Sequence, residues 1–200
     1  MRNSQGSGKI ADEAAENKMK KKLLIVVDYQ NDFVTGSLGF PAAVDIEDSI
    51  AAKIEQYRGY GEGGQVIFTM DTHGKNYMET QEGTNLPVPH CLKGEAGWDL
   101  YGKVANLKEE QDMVFSKPTF GSIELGDYLR DRADEYESVE LAGVVTNICV
   151  ISNMVLARAA MPEVPIIVDA ACVASNDPQL GEKALDLMEN LHAKILHRTA

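Results

Sequence analysis

The sequence LAGVVTNICVISNMVLARAA, residues 141–160, begins as an apolar run and continues as a helix-period segment after two polar residues. A buried strand that leads directly into a helix is the repeating unit of a parallel sheet. Cys149 follows the strand and lies in the first turn of the predicted helix. The free N–H groups and the positive dipole end of a helix start favour a thiolate. Cys149 is therefore a candidate nucleophile, and a small buried core cysteine is the alternative.

The same alternation extends to both sides of this stretch. Continuous apolar strands that alternate with helices are typical of a parallel sheet covered on both faces. We therefore predict an α/β fold, a three-layer (αβα), doubly wound and mainly parallel sheet of six strands. The predicted strands lie at 23–27, 65–70, 113–115, 138–145, 165–170 and 193–196. The predicted helices lie at about 46–58, 122–134, 147–160 and 178–191.

Composition limits the class of protein. A chain of 200 residues that is 44% hydrophobic suits one well-packed domain, which we predict for residues 19–200. The polar residues 1–18 are interpreted as a disordered leader or a cloning remnant. A formal net charge of -12 without a clustered basic surface argues against a nucleic-acid partner.

The apolar runs and the cysteines indicate the compartment. No apolar run approaches the ~20 residues of a membrane span, so we expect a soluble protein without a membrane partner. The three cysteines have no metal-type spacing, and the sequence shows no secretory leader. Free thiols in a reducing, cytoplasmic setting are therefore expected.

Charged side chains follow two of the predicted strands. In sheets of this kind, reactive groups gather beyond the carboxyl ends of the strands. Asp28 ends the strand at 23–27, and a carboxylate near a thiol can accept its proton. Lys117 follows the strand at 113–115 and could stabilise a thiolate across the end of the sheet. Taken singly, Asp28 could instead cap a loop and Lys117 could be an ordinary exposed lysine.

A possible metal-ligand set follows the strand at 65–70. Asp71 and His73 form an Asp-x-His pair, and His90 comes later in the chain. Two imidazoles and a carboxylate can hold a divalent ion and leave positions open for water or substrate. The alternatives are a turn cap for Asp71 and a hydrogen-bonded loop histidine for His90, because sequence spacing alone does not establish convergence.

Together, five segments resemble the isochorismatase-like cysteine hydrolases and, within that superfamily, the nicotinamidase branch. The resemblance runs from about Lys22 to Leu196, and each segment alone would be weak whereas all five in order are highly specific. The segments are DYQNDF (28–33), DTH (71–73), PVPH (87–90), Lys117 with FGS (120–122), and GVVTNICV (143–150).

The resemblance implies a catalytic centre. Asp28, Lys117 and Cys149 would form a catalytic triad. A non-proline cis peptide would join Val144 to Val145 and turn the Val145 N–H towards the site. That N–H and the Cys149 N–H would form an oxyanion hole.

The resemblance also implies a metal and a substrate pocket. The ion would be Zn, Mn or Fe, held by Asp71, His73 and His90, and the pyridine nitrogen of the substrate would complete its coordination. Glu82 lies about where some relatives carry an extra carboxylate, out of register by a residue or so.

Aromatic residues would form the walls of this pocket. Phe33 and Phe120 would pack against the substrate ring. Trp98 would be a further wall, and a core or lid role is the alternative for it.

The implied activity is hydrolysis of a small amide, most simply nicotinamide to nicotinate and ammonia through a Cys149 thioester, as in NAD salvage. One metal, no organic cofactor and a homo-oligomer are expected. Thr72 stands where the family often has Trp, and Asn147 stands where Asp is frequent, which leaves the substrate open. The alternatives are a cysteine hydrolase for another small amide, carbamoyl compound or enol ether, and a non-catalytic domain that retains the fold.

Overall fold

A computed structural model describes residues 19–198 of the protein. The predicted leader, residues 1–18, lies outside the described residues. The strands are β1 (Lys21–Val27), β2 (Gly64–Asp71), β3 (Met113–Lys117), β4 (Tyr136–Val144), β5 (Ile166–Ala174) and β6 (Lys194–Leu196). They form one sheet in the order β3-β2-β1-β4-β5-β6, and all neighbouring pairs are parallel. The prediction of a doubly wound, six-stranded α/β fold is confirmed.

The helices cover both faces of this sheet. They are α1 (Asn31–Val34), α2 (Pro41–Asp45), α3 (Glu47–Gly59), α4 (Gln81–Asn85), α5 (Gly102–Leu107), α6 (Ile123–Arg130), α7 (Ile151–Ala160) and α8 (Pro178–Asn190). None of the helices within residues 19–198 combines the length and the apolar character needed to cross a membrane.

Three predicted boundaries differ from the structure by four residues, and the others differ by less. The helix predicted at 122–134 ends at Arg130, because the backbone leaves helical geometry at Arg132 before a short 3₁₀ turn. The helix predicted at 147–160 begins with a π-helical turn, Thr146–Val150, and becomes α-helical only at Ile151. The strand predicted at 165–170 continues to Ala174, because its last residues still pair with the end of β4.

The core explains why the first strand is an unbroken apolar run. Residues 23–27 of β1 are fully buried. Leu23, Ile25 and Val27 face a cluster formed with α6, α7 and α8. Leu24 and Val26 face a second cluster on the side of α3 and α5. A central strand covered on both faces has no solvent-facing positions, so polar alternation is absent.

The strand order places the candidate site. From β1 the chain moves outward to β2 and β3, and it then returns to the other side of β1 for β4. Such a reversal leaves a crevice beyond the carboxyl ends of the strands. Asp28, Asp71, Lys117 and Val145 all lie at or directly after those carboxyl ends.

A charged cluster is buried on the α3 side of the sheet. Lys53 of α3 places its Nζ 2.9 Å from Oε1 of Glu140 and 2.7 Å from Oδ2 of Asp169. The Tyr57 hydroxyl donates a hydrogen bond of 2.7 Å to the Glu140 carboxylate. One ammonium thus binds two carboxylates that project from neighbouring strands.

Candidate active site

The local backbone brings Cys149 to the end of β4. The peptide between Val144 and Val145 is cis, as the family resemblance implied. In the π-helical turn that follows, the N–H groups of Ile148 and Val150 both donate to the carbonyl of Val145, at 3.0 and 3.2 Å. Single π turns are frequent at functional sites. Cys149 lies inside this turn and is 5% exposed.

Asp28 and Lys117 form a buried ion pair beside this turn. Lys117 Nζ lies 2.5 Å from Asp28 Oδ2, and the two residues are 1% and 0% exposed. The Thr69 hydroxyl donates to Asp28 Oδ1 at 2.7 Å, and Lys117 donates to the Thr119 carbonyl at 2.9 Å. The alternative of an ordinary exposed lysine is therefore wrong for Lys117.

The ion pair reaches the sulfur. Lys117 Nζ lies 3.6 Å from Cys149 Sγ. The structure thus brings together Asp28, Lys117 and Cys149, which come from three strand ends, and it does so in a place closed to bulk water. Their catalytic roles remain predictions.

Burial and neighbouring charges together decide the charge state of the three groups. It raises the pKa of the Cys149 thiol well above its ordinary value, the Asp28 carboxylate raises it further, and Lys117 opposes both. Burial also raises the pKa of Asp28 despite the neighbouring ammonium. For Lys117, the surrounding negative charges outweigh burial and raise the pKa. The thiol therefore keeps its proton at neutral pH, and a base must remove it during the reaction.

The sequence-based expectation that the helix start and Lys117 favour a thiolate is thus outweighed by burial. A helix start and an ammonium lower a thiol pKa, but desolvation of a fully buried sulfur acts more strongly in the other direction. Asp28, made more basic by its own burial, is the carboxylate next to the ammonium that contacts the sulfur.

A second cluster lies on the other side of Lys117. Asp71, His73, Glu82 and His90 each offer one ligand atom, and these four atoms all lie within 4.8 Å of one another. Asp71 Oδ2 is 2.9 Å from His73 Nε2 and 3.3 Å from His90 Nε2. Glu82 Oε1 is 3.8 Å from His73 Nε2 and 3.5 Å from His90 Nε2. The three predicted ligands converge, and Glu82 joins them.

The donor set fits a divalent ion. Ligand atoms that lie ~2.1 Å from a shared ion in a tetrahedral site are ~3.4 Å apart, which is close to the spacings in this cluster. His90 Nδ1 lies 2.8 Å from the Val88 carbonyl, and a hydrogen bond to that carbonyl requires a proton on Nδ1, so a metal would bind His90 through Nε2. Glu82 Oε2 is buried without a hydrogen-bond partner among the described residues, and a bound cation would compensate for this missing partner.

The charge of Asp71 links the two clusters. Its Oδ1 lies 3.5 Å from Lys117 Nζ, so the same ammonium touches the ion pair, the sulfur and the metal donors. Burial raises the pKa of Asp71, but hydrogen bonds from His73 and His90 and the charge of Lys117 outweigh it and hold this pKa far below its ordinary value. Asp71 is therefore ionised, as a metal ligand must be.

The aromatic residues predicted to line the substrate pocket lie at different positions in the structure. Phe33 is 6% exposed and packs edge-to-face on His90, with ring centroids 5.5 Å apart. Phe120 is 45% exposed and lines a cavity of about 550 Å³. The other residues that line this cavity are Thr80, Gln81, Glu82, Asn85, Leu86, Pro118, Thr119 and Ile148.

Trp98 takes the alternative place that the sequence left open. Its ring packs partly buried against the core on the α3 side, and its indole N–H donates to the Thr72 hydroxyl at 2.9 Å. Thr72 stands between the metal donors Asp71 and His73, so the indole acts as a support for that loop. Trp98 is not part of the cavity beside Phe120.

Two contributors were not singled out from the sequence. Tyr77 is 1% exposed, and its ring centroid lies 4.8 Å from that of His73 and 5.0 Å from that of His90. Ile148 lines the cavity directly before Cys149. Tyr77 is an aromatic residue in a loop segment, and Ile148 is an ordinary apolar residue of the predicted helix. No local sequence signal therefore distinguishes either residue.

A known protein family matches most of this chain. The model of the isochorismatase domain matches residues 22–200. The isochorismatase family protein PncA of Bacillus subtilis (strain 168) is 33% identical over 147 residues, which cover 68% of this chain and 77% of that protein.

Solved structures are similar over most of the chain. A crystal structure of nicotinamidase PncA from Bacillus subtilis has a TM-score of 0.77 and 29% identity, and the match covers 88% of this chain and 99% of that one. The pyrazinamidase/nicotinamidase of Streptococcus mutans UA159 has a TM-score of 0.75 and 31% identity, with 88% and 100% covered.

The chain belongs to the isochorismatase family, because the family model spans nearly all of it. The family match and these relatives together identify it as a hydrolase of the amidohydrolase class, acting on C–N bonds.

Proposed function

We propose that this protein is a metal-assisted cysteine amidase that hydrolyses nicotinamide to nicotinate and ammonia. The observation that carries the proposal is the position of Lys117, whose Nζ lies 3.6 Å from the Cys149 sulfur and 3.5 Å from the metal donor Asp71. A nucleophile and a metal cluster therefore contact the same ammonium group. A substrate that has both an amide and a metal-binding ring nitrogen would place its amide at the nucleophile and its ring nitrogen at the metal.

In the proposed first half-reaction, Asp28 takes the proton of the Cys149 thiol and the sulfur attacks the amide carbon. The N–H groups of Val145 and Cys149 bind the oxygen as it becomes negative. The C–N bond then breaks, and Asp28 returns its proton to the leaving nitrogen. Ammonia departs and a thioester on Cys149 remains, while Lys117 stays charged throughout.

In the second half-reaction, water attacks the thioester carbon and gives one proton to Asp28. The same N–H groups stabilise the second tetrahedral intermediate. The C–S bond breaks, Asp28 returns the proton to the sulfur, and the carboxylic acid leaves. Asp28 therefore acts as base and acid once in each half, which a raised carboxyl pKa assists.

Asp71, His73, Glu82 and His90 would hold the ion. When bound, it would act as a Lewis acid that orients the pyridine nitrogen of the substrate. The donor types suit Zn, Mn or Fe and do not select among them.

The decisive experiment measures ammonia release from nicotinamide by the purified full-length protein. Activity should be lost in Cys149→Ala and retained in Cys172→Ala, a matched replacement of a buried thiol outside the triad. Turnover that persists in Cys149→Ala would rule out the thiol mechanism.

A second candidate is a cysteine amidase for another small amide. The open cavity of about 550 Å³ beside Phe120 favours it, because this cavity leaves room for a different ring or substituent. A panel of small amides and carbamoyl compounds, scored by ammonia release, separates the two. A panel member hydrolysed far faster than nicotinamide would replace it as the substrate.

The remaining sequence-based expectations form part of the same proposal. Residues 19–200 would act as one domain, a homo-oligomer in the cytoplasm, with a small-molecule amide as its substrate. Size measurement in solution tests the oligomeric state.

A further inference from the structure

The strand that carries Asp28 ends before its neighbour does. β1 pairs with β2 up to Val27, opposite Thr69, and the Asp28 N–H still donates to the Thr69 carbonyl at 3.2 Å. Asp28 has a φ of 46°, in the left-handed region, so the chain turns out of the sheet there. β2 continues to Asp71. The peptide groups of Asp71 therefore extend beyond the last residue of β1.

The side chain of Gln30 occupies the place where β1 would have continued. Its Oε1 accepts the Asp71 N–H at 2.7 Å, and its Nε2 donates to the Asp71 carbonyl at 2.9 Å. Nε2 also donates to the Trp98 carbonyl at 2.7 Å. A carboxamide offers the same donor and acceptor as a peptide group, so Gln30 pairs with Asp71 as a strand would. Gln30 is fully buried.

We propose that Gln30 is the positioning residue of the metal cluster. By pairing with both backbone groups of Asp71, it fixes the end of β2 and so holds the Asp71 carboxylate between His73, His90 and Lys117. The carboxylate distances of 2.9 Å to His73, 3.3 Å to His90 and 3.5 Å to Lys117 depend on one backbone position. This inference rests on the metal part of the proposed function and adds the residue that pre-forms the site.

A purely structural role would make a different prediction. If Gln30 only satisfied buried polar groups, its loss would lower stability and leave metal binding by the folded protein unchanged. If it positions Asp71, the folded variant must bind metal more weakly. Groups that hold metal ligands in place typically contribute 10–100-fold to affinity.

The test uses cobalt(II) and the full-length protein. Gln30→Met keeps the length of the side chain and removes all three hydrogen bonds, whereas Gln30→Asn keeps the carboxamide but is too short to reach both groups of Asp71. Tyr29→Phe is the matched control, because Tyr29 is equally buried and its hydroxyl, within residues 19–198, bonds only the Ala43 carbonyl, at 2.6 Å. Dissociation constants come from titration, visible absorption reports the ligand geometry, and circular dichroism confirms folding.

Both Gln30 variants should bind cobalt(II) roughly 10–100-fold more weakly, with an altered absorption band, whereas Tyr29→Phe should match the parent. The inference would be overturned if either Gln30 variant folds and binds cobalt(II) with the affinity and the spectrum of the parent protein. It would also be overturned if the parent protein binds no cobalt(II). If Gln30→Met does not fold, the result for Gln30→Asn decides the test. A protein that shows this pattern without hydrolysing nicotinamide would support the role of Gln30 and refute the substrate.

Discussion

The ammonium nitrogen of Lys117 lies 3.6 Å from the sulfur of Cys149, in a place where neither residue is more than 5% exposed. In water such a pair would favour a thiolate. Here burial raises the pKa of the thiol more than the ammonium lowers it. In the proposed mechanism, the ammonium would therefore stabilise the sulfur at the moment when Asp28 removes the proton.

Replacement of Lys117 tests this role. Lys117→Met removes the charge that lowers the thiol pKa, so the pKa should rise further and iodoacetamide should alkylate Cys149 more slowly at neutral pH. The substitution also leaves Asp28 buried without its partner, which should lower the free energy of unfolding by about 3–5 kcal/mol. Peptide mass spectrometry measures alkylation at Cys149, and Lys103→Met, at an exposed lysine, is the control. An unchanged alkylation rate would contradict the assignment.

The pH profile of catalysis tests Asp28. A general base must be ionised, so a raised pKa moves the acid limb of kcat/KM upward. We expect this limb above the ordinary carboxyl value of 3.8, measured with nicotinamide. Protonation of the histidine ligands would also reduce activity in acid, but excess metal would shift that limb and leave the Asp28 limb in place. Full activity at pH values below 3.8 in folded protein would refute the role of Asp28.

Glu82 is expected to be a fourth metal ligand. Its Oε1 lies 3.5 Å from His90 Nε2, and its other oxygen has no partner among the described residues. Glu82→Gln keeps the shape and removes the charge, so zinc should bind roughly tenfold more weakly or worse. Titration with a competing chelator measures the affinity. Glu79→Gln, at an exposed neighbour, should match the parent, and a Glu82→Gln variant that also matches it would remove Glu82 from the site.

Phe120 is expected to contribute binding rather than chemistry. It lines the cavity beside the site and is 45% exposed, so its loss should leave the fold intact. Phe120→Ala should raise KM for nicotinamide by roughly tenfold, the effect of losing about 1.4 kcal/mol of apolar contact, with little change in kcat. Steady-state kinetics separate the two constants. Ile123→Ala, which is 74% exposed and outside this cavity, should leave both unchanged.

The buried cluster around Lys53 should contribute stability that depends on pH. Burial raises the pKa of Asp169, but bonds from Lys53 and His197 lower it more, so the net pKa lies below its ordinary value. A depressed pKa stabilises the fold above the unfolded-state value, and the effect is lost as pH falls through the folded-state pKa. Lys53→Met should cost about 3–5 kcal/mol at neutral pH, because Glu140 and Asp169 lose their cation.

In this variant, the buried Asp169 carboxylate should take up a proton more readily than in the parent. The difference in the free energy of unfolding between the parent and Lys53→Met should therefore become smaller as the pH is lowered towards the ordinary carboxyl range. Urea denaturation at two pH values measures it, with Lys103→Met as the exposed control at about 0–1 kcal/mol. An equal deficit at both pH values would contradict the linkage.

The sequence by itself determined the architecture and the edge where the site forms. The apolar run at 23–27 predicts a strand covered on both faces, and all five residues are fully buried. Carboxyl ends of parallel strands meet at one edge, so Asp28, Lys117 and Cys149 could be placed together from their positions at those ends. These properties depend on residues that are neighbours in the chain, which is why a linear pattern contains them.

Only the tertiary structure decided the state of these groups. Lys117 reads locally as a surface residue, and its burial follows from Asp28 and Cys149, which lie far away in the sequence. Glu82 lies among the metal donors because α4 directs it inward. Trp98 lies outside the cavity beside Phe120, with its indole N–H bonded to Thr72. Desolvation and hydrogen bonding are set by every atom around a group, so the pKa of the thiol and the pairing of Gln30 arise only once the chain is folded.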